Sequence, residues 1–157
     1  MNKSALREAI LEQLRGELAQ QTAAAHLARD EAISEESRPE NQYDMHSQEA
    51  AYLAEGQARL AREIADNIAH YSGLPLPPFA PGSAIALGAV VELAAAGGSR
   101  WYFLGPRAGG LEVSVEGRSV LVVTPQSPLG RQLLGRRAGD EVPAPGRGAP
   151  QRIVAVA

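Results

Sequence analysis

The residues best suited to chemistry lie in one acidic stretch, which runs from Asp30 to Asp44. This stretch carries six carboxylates and a single internal base, Arg38. Carboxylate oxygens are ligands for hard divalent cations. Because the phosphates of a nucleic acid repel an acidic segment, the stretch is a poor nucleic-acid binder. Its composition therefore favours a metal ion or a basic protein surface as its partner.

The net charge of the chain, −3, is unevenly distributed. Residues 1–74 hold 13 acidic against 7 basic residues, whereas residues 75–157 hold 5 against 8. Such asymmetry indicates two units with different partners. The chain has no cysteine, which excludes disulfides and thiolate metal sites. No apolar run approaches the ~20 residues that a membrane span needs, so we expect a cytoplasmic protein that binds no membrane.

The acidic stretch is positioned by two predicted helices. Residues 4 to about 36 place apolar side chains at a 3–4 spacing, with leucines near the start and alanines toward the end. Ser37 and Glu40 then form a capping box, with Pro39 in the first turn of a second helix that runs to about Tyr71. The apolar side of this second helix is predicted to hold Met45, Leu53, Leu60, Ile64, Ile68 and Tyr71. Residues 1–74 are thus predicted to form an antiparallel coiled-coil hairpin with an acidic tip.

The rest of the chain changes its periodicity. Residues 75–83 contain four prolines and are predicted to be a semi-rigid linker. Beyond the linker, short segments with a period of two alternate with Gly-rich turns. They predict strands over Ile85–Leu93, Arg100–Leu104, Leu111–Val115, Ser119–Val123 and Arg152–Val156, and one helix over Pro128–Leu134. The predicted fold class is α+β, with a helical hairpin followed by an antiparallel sheet domain over residues 84–157 that carries one short helix.

Two motifs resemble those of the bacterial Gre transcript-cleavage factors. Glu40-Asn41, followed after thirteen residues by Glu55-Gly56, has the spacing of that family's "EN … EG" pattern. The run SPLGRQLLGRRAGDEV, from Ser127 to Val142, is similar to the family's C-terminal signature over 16 residues. Both motifs occur in the family's order, with the Pro-rich segment between them.

The resemblance implies a coiled coil that enters the secondary channel of RNA polymerase and an FKBP-like domain that docks at the channel mouth. The tip would meet the 3′ end of the nascent RNA there and hold a second Mg²⁺ shared with the polymerase, through Glu40 and Glu36 with help from Asp44. Ser37, Arg38, Pro39 and Asn41 would shape the tip. The docking residues would be Ser127, Pro128, Arg131, Arg136, Arg137, Gly139 and Asp140. The chain would then be a monomeric accessory factor rather than an enzyme, with no stably bound cofactor.

The tip departs from the family pattern, which reads Asp-x-x-Glu-Asn. Ser37 replaces the Asp, and Arg38 places a positive charge where Mg²⁺ would bind. A channel-binding inhibitor that does not support cleavage is therefore a second hypothesis. A third is an adaptor whose hairpin pairs with another helical protein, but the pattern indicates no second apolar stripe for such a partner.

The basic residues Arg131, Arg136 and Arg137 leave three interpretations open. They can form a solvated face, a weak patch for DNA or RNA, or a docking surface for acidic elements of the polymerase. We favour docking.

Overall fold

The computed structural model describes residues 1–36, 45–95, 97–143 and 148–157. Two long helices come first, α1 (Lys3–Glu36) and α2 (Met45–Ser72). A third, short helix, α3, spans Pro128–Leu133. The six strands are β1 (Val90–Ala95), β2 (Gly98–Leu104), β3 (Glu112–Val115), β4 (Arg118–Val123), β5 (Glu141–Val142) and β6 (Gln151–Val156). The predicted α+β class, with a helical pair before a sheet that carries one short helix, is confirmed; the FKBP-like comparison stays a prediction.

The first helix begins at an Asn cap. The Oδ1 of Asn2 accepts hydrogen bonds from the N–H groups of Ser4 and Ala5, at 3.0 and 3.1 Å. An Asn at this position satisfies amides that have no partner within the helix. With 34 residues, α1 is about 51 Å long at 1.5 Å per residue. Its predicted extent, residues 4 to about 36, therefore agrees with the structure.

The two long helices bury different kinds of side chain along their length. Leu6, Ile10 and Leu14 are fully buried on α1, and Ala28 is buried nearer its end, as the leucine-to-alanine pattern predicts. The second helix ends at Ser72, in agreement with its predicted end at about Tyr71. Segment 37–44, which includes the predicted capping box and Pro39, lies outside the described residues.

The predicted apolar side of α2 is wrong at two positions. Leu53 is 55% exposed and Leu60 is 44% exposed. The half-buried stripe instead passes through Gln57, Ile64 and Ile68. Alanines and a glutamine therefore supply much of the inner face, and the two leucines lie beside it rather than on it.

By internal contacts the chain forms two compact units. One comprises Met1–Leu11 and His70–Ala157, and the other comprises Glu12–Ala69. In the second, here called the helical unit, the long helices pack together. The first contains the start of α1, the end of α2 and the whole sheet, so the two helices run in opposite directions. The Pro-rich segment 75–83 lies inside this first unit, and the predicted domain boundary there stays a prediction.

The sheet has the strand order β3-β4-β2-β1-β6-β5. Four of its pairings are antiparallel, as predicted, but β2 and β4 are parallel, with Trp101 opposite Val120 and Leu104 opposite Val123. The predicted wholly antiparallel sheet is therefore wrong at this pairing. After β2 the chain passes beyond the place of β4 to form β3 at the sheet edge. The β3–β4 hairpin then returns β4 to the side of β2 in the same direction.

The first strand begins later than predicted. Residues 85–89, assigned to a strand from their apolar character, form turns instead, and Gly88 has a φ of 85°. The backbone of Ile85 exchanges hydrogen bonds with Arg136 (2.7 Å) and Gly135 (2.8 Å). Ile85 is therefore buried against the turn that follows α3, and its burial, rather than a strand, explains its apolar side chain.

The middle of the sheet is buried on both faces. On one face Tyr102, Leu104 and Ile153 pack in a single apolar cluster with Leu133 of α3. On the other face the rings of Phe103 and Tyr71 lie 6.5 Å apart, inclined at 40°. Helix α3 therefore covers one face and the end of α2 contacts the other.

Candidate functional site

Of the carboxylates predicted to act at the tip, only Glu36 belongs to a described helix. Glu36 is the last residue of α1, and its side chain is outside the described set. The other predicted tip residues lie outside the described residues altogether: Ser37, Arg38, Pro39, Glu40, Asn41 and Asp44. Their roles as metal ligands, catalytic groups and tip-shaping residues stay predictions.

The described residues that lead to this junction are acidic and exposed. Asp30 and Glu31 are exposed near the end of α1, and the last turn of that helix contains no basic residue. Negative charge at a helix C-terminus opposes the helix dipole and is mildly destabilising. Helix stability therefore does not explain this concentration of acid. Within the described ranges no group of three or more histidines and carboxylates is placed to hold a metal ion.

The segment 127–142, predicted to dock, begins with a helix cap. The Oγ of Ser127 accepts a hydrogen bond from the N–H of Gly130 at 3.0 Å and donates one to the carbonyl of Thr124 at 2.8 Å. Pro128 follows in the first turn, where its missing N–H leaves no bond unmade. A Cβ on Gly130 would lie 1.8 Å from the carbonyl oxygen of Thr124. Each of these motif residues thus has a local structural role.

The three arginines of this segment all bond to backbone carbonyls of the chain itself. Arg131 donates to Gln126 at 2.5 Å. Arg136 donates to Gln132 and to Glu141, each at 2.7 Å. Arg137 donates to the carbonyl of Gly82. These bonds hold the guanidinium groups against the chain's own backbone, although Arg131 and Arg137 stay exposed. The arrangement gives no support to DNA binding.

The end of the segment is a turn built on glycine and aspartate. Gly139 has a φ of 97°, a conformation that side chains rarely adopt. The Oδ2 of Asp140 accepts a hydrogen bond from the N–H of Arg137 at 2.8 Å. Val142 then enters the core. The motif residues are brought together, but as one folded turn, and their docking role stays a prediction.

Leu134 is the one large apolar side chain of this segment that the structure exposes, at 49%. It lies directly after α3, and Arg131 and Arg137, which precede and follow it in sequence, are also exposed. A surface leucine flanked by cations is suited to contact with an acidic, partly apolar protein surface.

The sequence did not indicate two contacts that hold the long helices to the sheet domain. The Nζ of Lys3 lies 4.6 Å from the centre of the Phe79 ring and donates to the carbonyl of Pro77. Burial lowers the pKa of the Lys3 ammonium. The hydroxyl of Tyr71 donates to the carbonyl of Arg107 at 2.7 Å. These partners are far apart in sequence, so no local pattern could have revealed them.

None of the helices in the described ranges has the length and apolar character to cross a membrane. No protein-family model and no curated protein matches the chain.

Solved structures do match. GreA factor homolog 1 (Gfh1) of Thermus thermophilus is 23% identical over 94% of each chain, with a TM-score of 0.39. Gfh1 of Thermus aquaticus is 25% identical over 95% of this chain and 94% of its own, with a TM-score of 0.36. A GreA/GreB elongation factor from Nitrosomonas europaea is 22% identical over 69% of this chain and 91% of its own, with a TM-score of 0.37.

At TM-scores below 0.5, these likenesses assign no role to any residue of this chain. Over about 94% of its length, the chain is similar to solved transcription factors of the GreA and Gfh1 type.

Proposed function

We propose that this chain is a cytoplasmic transcription elongation regulator that binds RNA polymerase through its secondary channel. Its tip carboxylates would stimulate the polymerase to cleave the 3′ end of a backtracked transcript. The observation that carries the proposal is the helical unit. Two helices of 34 and 28 residues pack together and meet at the most acidic stretch of the sequence. The "EN … EG" and Ser127–Val142 motifs resemble the Gre family in the same order.

The proposed chemistry requires little of this protein beyond bringing carboxylates to the active site of the polymerase. Hydrolysis by two metal ions needs a second, weakly held cation and a positioned water. A pair of carboxylates keeps Mg²⁺ hydrated and loosely bound, which suits a shared ion. Glu40 and Glu36 would supply this pair, and Asp44 would support it. At 1.5 Å per residue, α1 is about 51 Å long and α2 about 42 Å long, and two packed helices of this length are suited to carry such a tip into a narrow channel.

Two residues favour a second candidate, an inhibitor that binds the channel without supporting cleavage. Ser37 stands where the family pattern has an Asp, and the adjacent Arg38 repels a cation. A tip that cannot hold Mg²⁺ would still block the channel.

The exposed apolar residues of the helical unit keep the adaptor hypothesis open. The sequence indicated no second apolar stripe, but the structure exposes Leu27, Ile33, Tyr52, Leu53 and Leu60, by 44–75%. Such residues are suited to a helical protein partner. Whether these residues form a second apolar stripe is the point on which the adaptor hypothesis depends.

A cleavage assay distinguishes the three candidates. Purified RNA polymerase would be stalled in a backtracked complex with labelled RNA, and the chain would be added in Mg²⁺. We expect shortened transcripts, and we expect Glu40→Gln to lower the cleavage rate at least tenfold because it removes a ligand charge without changing the shape. Glu63→Gln, on the exposed side of α2 and outside both motifs, is the matched control and should leave the rate unchanged.

Ser37→Asp separates the first two candidates. If the wild-type chain only slows extension while Ser37→Asp cleaves, the chain is a channel-binding inhibitor. If neither protein cleaves, slows extension or binds polymerase, the adaptor hypothesis replaces both.

A further inference from the structure

The pairing of two neighbouring strands is incomplete at one end of the sheet. The ladder between β2 and β4 begins at Trp101 and Val120, yet β2 itself begins at Gly98 and β4 at Arg118. Residues of both strands, together with Glu112 of β3, line a cleft of about 590 Å³ beside this end of the ladder. This volume is within the range of pockets that bind ligands. The cleft lies outside the tip and outside segment 127–142, so it is independent of the function proposed above.

The backbone along the cleft lacks part of its pairing. Gly98, Ser99 and Arg100 pair with β1 on one side. On the other side, the ladder among the described residues starts only at Trp101. Alternate residues of a strand direct their N–H and C=O groups to opposite sides. At least one residue of this three-residue overhang therefore presents an unpaired donor and acceptor toward the cleft, which is the template for an added strand.

The side chains around the cleft favour a negatively charged ligand. Arg100 and Arg118 are both exposed there. The guanidinium of Arg118 lies 5.0 Å from the centre of the Trp101 ring, which holds it in place. No carboxylate lies within ion-pair distance of Arg100 among the described residues. The one acid that lines the cleft, Glu112, accepts a hydrogen bond from the hydroxyl of Ser119.

We propose that this cleft binds an extended acidic peptide segment of a partner protein. The peptide backbone would pair with the N–H and C=O groups of the overhang that face away from β1, and its carboxylates would bind Arg100 and Arg118. A free anion would satisfy the arginines but leave the strand edge unpaired. A nucleic acid offers no backbone amide to pair with a strand. The combination of a free strand edge with two guanidinium groups therefore fits an acidic peptide.

Trp101 provides the measurement, because it is the only tryptophan in the chain and lines the cleft. Its fluorescence would be titrated with a capped hexapeptide, acetyl-Thr-Glu-Val-Glu-Thr-Glu-amide. We expect a saturable change in emission. The same peptide with glutamine for glutamate should bind at least tenfold more weakly. Replacement of its central valine by proline keeps the charges but removes a backbone donor, and should weaken binding similarly.

Variants assign the binding to the cleft. Arg100→Gln should lower the affinity for the acidic peptide about tenfold or more, because hydrogen bonds between charged groups are stronger than those between neutral groups. Arg62→Gln, an exposed arginine on α2, is the matched control and should bind like the wild type. Circular dichroism would check that both variants fold.

Three results would overturn the proposal. One is the absence of a saturable response to the acidic peptide. Another is equal affinity for the proline-containing peptide, which would mean that no strand pairing occurs. The third is equal or tighter binding of inorganic phosphate or of a single-stranded oligonucleotide, which would make the cleft an anion or nucleic-acid site.

Discussion

The absence of a side chain at Gly130 allows α3 to lie close to the backbone of Thr124. A Cβ at this position would overlap the carbonyl oxygen of Thr124, at 1.8 Å. Because the overlapping atom belongs to the backbone, α3 would have to shift away from the turn that precedes it. Close packing at this one residue thus fixes how the motif segment 127–142 is attached to the sheet.

The first prediction follows from this contact. Gly130→Ala should lower the free energy of unfolding by about 3 kcal/mol, the upper part of the usual range for overpacking. Gly16→Ala is the matched control, because Gly16 is an exposed helical residue with nothing within 4 Å of an added Cβ. It should stabilise the chain by up to ~1 kcal/mol. Urea titration measures both, and equal stability of the two variants would contradict the close contact.

The second prediction concerns pH and Tyr71. Burial raises the pKa of the Tyr71 hydroxyl above its usual value of 10.0. In the unfolded chain this group ionises near pH 10, while in the folded chain it stays protonated. The stability it contributes is therefore fully present below pH 10 and is lost as the pH rises toward the folded-state pKa.

Tyr71→Phe should remove the loss of stability at alkaline pH. At neutral pH it should lower the free energy of unfolding by about 1 kcal/mol, because the hydrogen bond to the carbonyl of Arg107 is no longer made. Tyr52→Phe is the control, since Tyr52 is 75% exposed. Denaturation at pH 8 and pH 11 would show a larger alkaline loss for the wild type and the control than for Tyr71→Phe. The same alkaline loss in all three proteins would contradict the assignment.

At the scale of elements, the start of α1 is fastened to the Pro-rich segment. Lys3 lies over the ring of Phe79 and bonds to the carbonyl of Pro77. The predicted linker is thus in contact with a helix rather than free along its whole length. The partial burial that lowers the pKa of Lys3 opposes the charge, so the net gain is smaller than the sum of its contacts.

The third prediction tests this attachment. Lys3→Met keeps an unbranched side chain but removes the ammonium group. It should lower the free energy of unfolding by about 1 kcal/mol, because the cation–π contact and the hydrogen bond are lost while the desolvation cost of the charge is removed. Arg15→Met, an exposed arginine on the same helix, should cost less than about 0.5 kcal/mol. Thermal and urea unfolding would compare them. A Lys3→Met protein as stable as the wild type would show that the contact does not hold the helix.

The sequence predicts an element well when neighbouring residues determine it, and poorly when residues far apart in the chain determine it. The extent of α1 and the position of α3 followed from spacing and from the Ser127 cap, which are properties of neighbouring residues. The parallel pairing of β2 with β4 did not, because it depends on where the connection after Leu104 places β3. Leu53 and Leu60 were misplaced because apolar character marks a side chain for burial but not the face on which a partner helix lies.

Only part of the candidate site could be predicted from the sequence. The acidic stretch and the two motifs are visible in the sequence, since each is a contiguous run. The bonds that occupy Arg131, Arg136 and Arg137 are not, because their acceptors are carbonyls whose positions only the fold determines.

In the whole molecule, the proposed function assigns a separate polymerase contact to each of two charged regions. One is the acidic helical unit, and the other is the set of exposed arginines in segment 127–142. An acidic helical unit would be attracted to a basic channel, and this attraction should weaken as salt rises. Exposed cations with Leu134 would contact the polymerase surface. The two contacts together would set the affinity.

Binding of the labelled chain to core RNA polymerase, followed by fluorescence anisotropy at low and high salt, is the first test of the proposed function. We expect saturable binding that weakens with salt and is displaced by a GreA-type factor, because both proteins would occupy the same channel. Absence of binding, or binding that such a factor does not displace, would contradict the proposed function.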